Sequence, residues 1–287
     1  MTTINLLILN NLNEGTIMKR PSAKCKTPYV ADILDESGCT ILGHTASLGC
    51  CGLSDAGATI LMNKNPNTNK KKQSVCSHKV HLSIFKEGDS EIIIGINPKL
   101  AEELAESCIK NNLLHILQNV KSWKRETAIY VEGKVDSRFD FTGIDKNGVP
   151  FIMEVKNVPL ADYEDISSKE RKKLPTDIYT GRKIGSKVAY FPDGYRKKSN
   201  DPVSPRALKH IRELSLIKKE SKTRCIMCYV IQRTDVNRFQ PSVIDPEYRA
   251  AFKEAMDAGV EIITLVIKWS RDGVAHFIRD DLPITPF

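Results

Sequence analysis

The feature that most constrains this chain is a change of hydrophobic period at Asn97-Pro98. Before that point the apolar runs are short and broken by turn residues, at 4–9, 29–34, 40–42, 59–62, 80–85 and 91–95. None repeats at the 3.6-residue interval of an amphipathic helix, and His81-Leu82-Ser83-Ile84-Phe85 alternates with the period of two of a half-buried strand. Several short strands without a helix predict a small barrel or open sheet, with 63–73 as a loop. At the junction, Asn97 suits an N-cap and Pro98 a first helical position, and Leu100, Leu104 and Ile109 follow as an apolar stripe. A helix is therefore expected over 98–110, with 113–120 as a second helical piece. Strands are expected at 128–135, 139–144, 150–155, 224–232 and 260–268. Ser204-Pro205 opens one further helix, and another runs over 246–257 and is closed by Gly259. The fold class expected is α/β (α+β), with residues 1–96 and 97–287 as two domains and a mixed sheet in the second.

Composition excludes other classes. The chain has 287 residues, 41% of them hydrophobic, enough to bury a core without disulfides. No apolar run approaches the roughly 20 residues of a membrane-spanning helix. The start, 4–9, lacks a basic flank and ends in Asn10-Asn11, so it reads as a strand rather than a secretory signal. Of eight cysteines only Cys225 and Cys228 have metal-like spacing; no second pair answers them, and they sit in an apolar run. Buried reduced thiols, and hence a cytoplasmic or nuclear rather than secreted protein, are expected.

The net charge of +8 is unevenly placed. Residues 161–224 hold 17 Lys and Arg against 9 Asp and Glu, which accounts for the whole excess. A second stretch, between Asp55 and Glu87, holds Lys64, Lys70, Lys71, Lys72, Lys79 and Lys86 and no acid. Such runs are commonly solvated surface, but they also create the potential that attracts a polyanion. A chemical site beside them is needed to decide.

That site is suggested by Asp140, Glu154 and Lys156. Residues two apart on a strand share a face, so Glu154 and Lys156 project together, with Met153 and Val155 opposite. A hairpin through Asp145-Lys146-Asn147-Gly148 would bring Asp140 alongside Glu154. Two carboxylates can hold a divalent cation, and the ammonium can orient water or stabilise charge on a phosphodiester. The plain alternative is an edge-strand charge pair.

The order of motifs extends this reading. Ser137-Arg138-Phe139-Asp140-Phe141, Glu154-Val155-Lys156-Asn157-Val158, Phe191-Pro192-Asp193 and Leu208-Lys209-His210-Ile211-Arg212-Glu213-Leu214 resemble successive motifs of the SfsA (sugar fermentation stimulation protein) family. So do Val230-Ile231-Gln232-Arg233-Thr234-Asp235, the stretch from Ile244 to Tyr248, and Gly259-Val260-Glu261. The resemblance covers roughly 120–287. It implies an N-terminal OB-fold-like barrel, a PD-(D/E)xK nuclease-like domain, DNA binding and a nuclease-type metal site. It matches Asp140, Glu154 and Lys156 to that superfamily's acid and E-x-K, and adds Glu126, from Lys124-Arg125-Glu126, as a further metal-site acid. The family's His-Cys-Pro-Asn-Thr-Gly-Ser-Met-like stretch corresponds here to 44–51, which keeps little beyond His44 and Gly49. The chain also departs in a basic insertion around 161–199.

Two functions from different classes follow. The first is a nuclease dependent on Mg²⁺ or Mn²⁺, held by Asp140, Glu154 and Glu126, with Lys156 acting on water and phosphate. Lys209 and Glu213, one helical turn apart, would assist, while His210 is expected to be structural. Phosphates would meet Arg138, Lys172, Lys173, Arg182, Lys183, Lys197, Lys198 and Arg206. The second is a DNA-binding transcriptional regulator that keeps the fold without turnover. DNA is the expected partner, with RNA the next candidate; no membrane is expected, and a homodimer stays open.

Overall fold

The structure is a computed structural model that describes residues 4–46, 52–65, 75–171, 173–175, 177–192 and 202–285. Strand β1 (Asn5–Ile8) is followed by the strands β2 (Asn13–Lys19), β3 (Val30–Asp35), β4 (Thr40–Thr45), β5 (Thr59–Lys64), β6 (His78–Glu87) and β7 (Ser90–Gly95). Strands β4-β3-β2-β5-β6 lie side by side, and a parallel pairing of β4 with β6 closes them into a five-stranded, OB-like barrel that β7 extends. Its interior is filled by Ile17, Ile33, Ile60, Met62 and Val80. Gly43 is where the wall closes most tightly, since a Cβ there would lie 2.2 Å from Ile33 Cδ1.

The expected boundary needs one correction. Strand β1 does not join the barrel but pairs antiparallel with the C-terminal strand β16 (Val274–Arg279). Leu6 is buried there in the core of the second sheet, and after Ile8 the left-handed Asn11 (φ +56°) lies in the connection to β2. The second domain therefore includes residues from both ends of the chain.

Helix α1 (Pro98–Lys110) starts where expected: Asn97 Oδ1 accepts from the Lys99 N–H at 3.3 Å. Buried His81 fastens that cap to the barrel, its Nδ1 accepting from Asn97 Nδ2 at 3.1 Å and its Nε2–H donating to Asn63 at 3.0 Å. The helix ends in a Schellman arrangement, with Leu113 N donating to Cys108 O and Asn112 N to Ile109 O. Asn112 and Asn119 are both left-handed, so 113–120 forms turns and not the second helix expected; Leu114 and Leu117 still reach the core.

The strands β8 (Ser122–Val131), β9 (Val135–Ile144) and β10 (Pro150–Val158) then form a meander. The segment beyond, expected to be a charged insertion, holds β11 (Ala161–Asp162), a single-turn helix α2 (Ser168–Arg171) and a buried strand, β12 (Lys187–Phe191). Helix α3 (Pro205–Glu220), β13 (Arg224–Ile231), β14 (Val236–Pro241), helix α4 (Pro246–Asp257) and β15 (Glu261–Trp269) complete the chain before β16. The main sheet runs β1-β16-β15-β13-β10-β9-β8, with β10, β13 and β15 parallel, and β11-β12-β14 make a small second sheet. Central β13 is buried almost throughout, which is why its sequence reads as a continuous apolar run. Cys225 and Cys228 are free and buried on it, and burial pushes the Cys225 thiol up to about 12.

Helix α1 packs on one face of the main sheet, and α3 and α4 on the other, giving two apolar layers. The barrel is tied on at Gly95, whose N–H donates to Gln232 O at 3.1 Å, and Gln232 Oε1 accepts from Trp269 Nε1 at 2.8 Å. No helix among the described residues is long and apolar enough to cross a membrane.

Candidate functional site

The site forms where two paired strands part. Strands β9 and β10 pair from Ile144–Pro150 to Phe141–Met153 and then separate, so the next residues in register, Asp140 and Glu154, face each other across the gap. The Asp140 side chain enters that gap, and its Oδ2 accepts the Val155 N–H at 2.7 Å in place of a strand carbonyl. Beyond this point β10 stays paired with β13, in parallel, as far as Val158.

The alternation expected of β10 is present. Ile152 and Val158 lie in the layer under α3 and α4, and Glu154 on the same face meets α3. Glu154 is 2% exposed. Its Oε1 accepts from Lys156 Nζ and from His210 Nδ1, while its Oε2 is buried without a hydrogen-bond partner. His210 is thus the buried, satisfied histidine expected, but the group satisfying it belongs to the site.

The two acids sit in opposed electrostatic states. Burial and the neighbouring Glu154 charge push the Asp140 carboxyl up to about 7, against the pull of Lys156. Burial also acts to raise Glu154, but the Lys156 ammonium and the His210 hydrogen bond outweigh it and hold Glu154 below its ordinary value. Asp140, Glu154, Lys156 and Asn157 open into a cavity of about 340 Å³, closed by Tyr190, Phe191 and the start of α3. Ser204 at that helix end makes no side-chain cap, and exposed Arg206 lines the cavity. The helix start without a side-chain cap, Arg206 and Lys156 there form a surface suited to an anion.

Other expected residues lie elsewhere. Glu126 stands across from Asp140 in register, but its backbone is left-handed (φ +51°) and its exposed carboxylate lies 3.4 Å from Arg138. It does not line the cavity, and Arg138 is turned to the same surface pair. Lys209 and Glu213 grip the start of β9 instead: Lys209 donates to Asp136 O, and Glu213 Oε1 accepts the Asp136 N–H at 2.9 Å. Arg182 is engaged by Glu164 at 3.2 Å, and Lys173 and Lys183 are exposed. Lys172, Lys197 and Lys198 lie outside the described residues, as do Lys70, Lys71, Lys72 and Asp193.

One acid was not anticipated. Glu102 on α1 lines the cavity, its carboxylate accepting from Arg125 at 2.7 Å, and Arg125 also reaches Glu106 at 2.7 Å. Its only sequence signal is the Glu102/Glu106 spacing of four on the helix that follows the barrel. Among the described residues, no three His, Cys, Asp or Glu side chains converge as a ready-made metal cluster.

The family profile described as "Sugar fermentation stimulation protein RE domain" matches residues 180–273. A sugar fermentation stimulation protein homolog of Shewanella sediminis is 30% identical over 190 residues, covering 66% of this chain and 69% of that protein. Its counterpart from Prochlorococcus marinus is 27% identical over 267 residues, 92% of this chain and 93% of the relative. A solved structure of Pyrococcus furiosus SfsA in complex with Ca²⁺ matches 99% of this chain and 100% of its own, with a TM-score of 0.72 at 18% identity. That likeness shows the same fold, barrel included.

Proposed function

Since the chain belongs to the SfsA family, we propose that it binds nucleic acid and hydrolyses phosphodiester bonds with the aid of a divalent cation, Mg²⁺ or Mn²⁺. One observation carries this reading: two carboxylates meet where β9 and β10 part, and one of their oxygens, Glu154 Oε2, is buried without a partner. Leaving such an atom unpaired costs about 1–3 kcal/mol, and more for a charged group, so this pair of carboxylates is suited to gaining a cation.

Asp140 and Glu154 are the residues that would hold it, with water filling the remaining positions, as Mg²⁺ prefers. When bound, the cation would polarise the phosphodiester and neutralise charge developing on it. The Ca²⁺ complex of the Pyrococcus furiosus relative supports a divalent site in this fold. The chain's own groups supply the rest. Lys156, on the strand face of Glu154, donates to a non-bridging phosphate oxygen or orients the attacking water. His210, donating through Nδ1, fixes the Glu154 carboxylate, and Gln232 holds Asn157 at the cavity edge through a 2.6 Å bond. Arg206 and the α3 N-terminus receive a neighbouring phosphate.

The rival reading, DNA binding without turnover, draws on the lack of a third converging ligand among the described residues. Incubation of the full chain with labelled single- and double-stranded DNA and RNA, with Mg²⁺, Mn²⁺ or EDTA, separates them. Cleavage that EDTA and Glu154→Gln both abolish is the expected result. Binding without cleavage under every condition would establish the rival.

A further inference from the structure

A second cavity, of about 570 Å³, lies between the barrel and the second domain. It shares Leu160 and Tyr190 with the first, so the two are separated by a single wall of side chains. Their linings differ in kind. In the second, aromatic rings come from three parts of the chain: Phe85 from β6 of the barrel, Tyr163 and Tyr179 from the segment joining β11 to β12, and Tyr190 from β12. Tyr163 and Tyr179 lie 5.1 Å apart between ring centroids, with Arg182 over both.

The cations that line it are already matched. Lys187 Nζ donates to Glu87 at 2.6 Å and to Asp235 at 2.9 Å. Arg233 donates twice to Asp235, at 2.6 Å each, and once to Pro159 O at 2.9 Å. Arg171 is ion-paired with Asp162. Phosphate would find no spare positive charge there. Lys187 and Arg233 lie over Phe85, and Lys187 also over Tyr163, so a neutral planar group meets aromatic walls rather than free charge. At its edge stand the Glu87 carboxylate, already shared by Lys187 and Tyr163, and the Tyr179 hydroxyl, which is buried without a partner. The volume falls in the ordinary range for small-molecule sites, roughly 300–1,000 Å³.

A nucleic-acid strand presents a phosphate and a base one backbone step apart. From the shared wall and the contrast in charge, we infer that the second cavity takes an unstacked base of the same strand whose phosphate enters the first. This rests on the nucleic-acid reading above and makes it narrower: the preferred substrate is single-stranded or locally unpaired. A base within a duplex has its faces and pairing edge occupied and must leave the stack to enter.

The test uses the full chain and a fluorescein-labelled single-stranded oligonucleotide, in EDTA and again with Ca²⁺, with each nucleotide in turn made abasic. One or two adjacent positions are expected to lose about five- to a hundredfold in affinity, the range for a stacked base, while the others lose little. Tyr179→Ala and Phe85→Leu, checked for folding by circular dichroism, are expected to flatten that profile, and a blunt duplex is expected to bind more weakly. A flat profile for wild-type protein that binds the oligonucleotide overturns the base site and leaves the nucleic-acid reading standing. A position-dependent loss that persists unchanged in both folded variants also overturns it. Failure of wild-type protein to bind any oligonucleotide overturns both.

Discussion

Two buried clusters of charge lie on either side of Leu160 and Tyr190, and the chain treats them in opposite ways. Around Asp235 every charge has a partner: burial acts to raise the carboxyl, but the Arg233 hydrogen bonds and the Lys187 ammonium outweigh it and hold it down to about 2. Around Asp140 the same burial is reinforced by a second carboxylate, and the group is pushed up to about 7. Glu154 adds an oxygen without a partner. The first cluster is complete in itself and fastens β12, β14 and the barrel together through Lys187 and Glu87. The second is completed only by something from outside. Chemistry is therefore expected at Asp140, and stability is expected to depend on Asp235.

The largest effects should fall on turnover. Lys156→Ala and Glu154→Gln are each expected to lower the cleavage rate by about 10²–10⁴-fold, the range for a positioned proton-transfer or charge-stabilising group. They should differ in calorimetry: Glu154→Gln weakens Mg²⁺ or Mn²⁺ binding, whereas Lys156→Ala leaves it largely in place. Metal binding equal to wild type in Glu154→Gln would break the assignment of the incomplete cluster as the cation site.

The next effect belongs to the complete cluster. Asp235→Asn leaves Arg233 and Lys187 buried with one charge fewer between them, and breaking a buried pair in this way costs about 3–5 kcal/mol. Urea unfolding should show the loss directly, with metal absent and present. A loss below about 1 kcal/mol would mean that this network is not what holds the two domains together.

How far these two clusters could be read in advance differs for physical reasons. Glu154 and Lys156 were legible because the period of two on a strand is local, and Asp140 followed because the hairpin turn lies only a few residues away. Helices α1, α3 and α4 were legible from their Pro-marked starts and apolar stripes. The Asp235 cluster was not, since β12 carries Lys187 into the core on a strand set in a charged stretch, and the partners of that lysine, Glu87 and Asp235, come from distant parts of the chain. Strand β2 is mostly polar, with only Gly15 and Ile17 buried, so its place in the barrel depends on neighbours that pattern alone does not name. The pairing of β1 with β16 is set by the two ends of the chain meeting. Glu126 looked like a ligand until its left-handed backbone and the Arg138 contact were seen. Glu102 looked like an ordinary acid on a helix.

Acid should dissolve the complete cluster late. A carboxyl held below its ordinary value of 3.8 contributes stability that is fully present above that value and is lost as pH falls through its folded value of about 2. The loss from Asp235, on the order of 2 kcal/mol, should thus appear between roughly pH 4 and pH 2. Comparing urea midpoints of wild type and Asp235→Asn across that window checks it. The gap between them should narrow as pH drops, and a gap that stays constant down to pH 2 would contradict the depressed titration.

The smallest effect is also the sharpest test of the contrast, because its sign is opposite. Asp140→Asn keeps an oxygen that can accept the Val155 N–H, so the gap between β9 and β10 stays bridged. What it removes is a carboxylate that burial and Glu154 make costly to ionise. A group whose folded value is raised destabilises the fold at pH values above its unfolded one, and the cost grows until the folded value is passed. In EDTA at pH 8 the substitution should therefore leave stability unchanged or increase it by about 1 kcal/mol, the usual direction when a functional site is disarmed. Adding Mg²⁺ should reverse the order, stabilising wild type and not the variant, because only the intact pair of carboxylates gains from binding. Thermal unfolding of both proteins with and without Mg²⁺ reads this as a crossing of melting temperatures. If Asp140→Asn in EDTA instead loses as much as Asp235→Asn, both clusters are structural, and the distinction between them is lost.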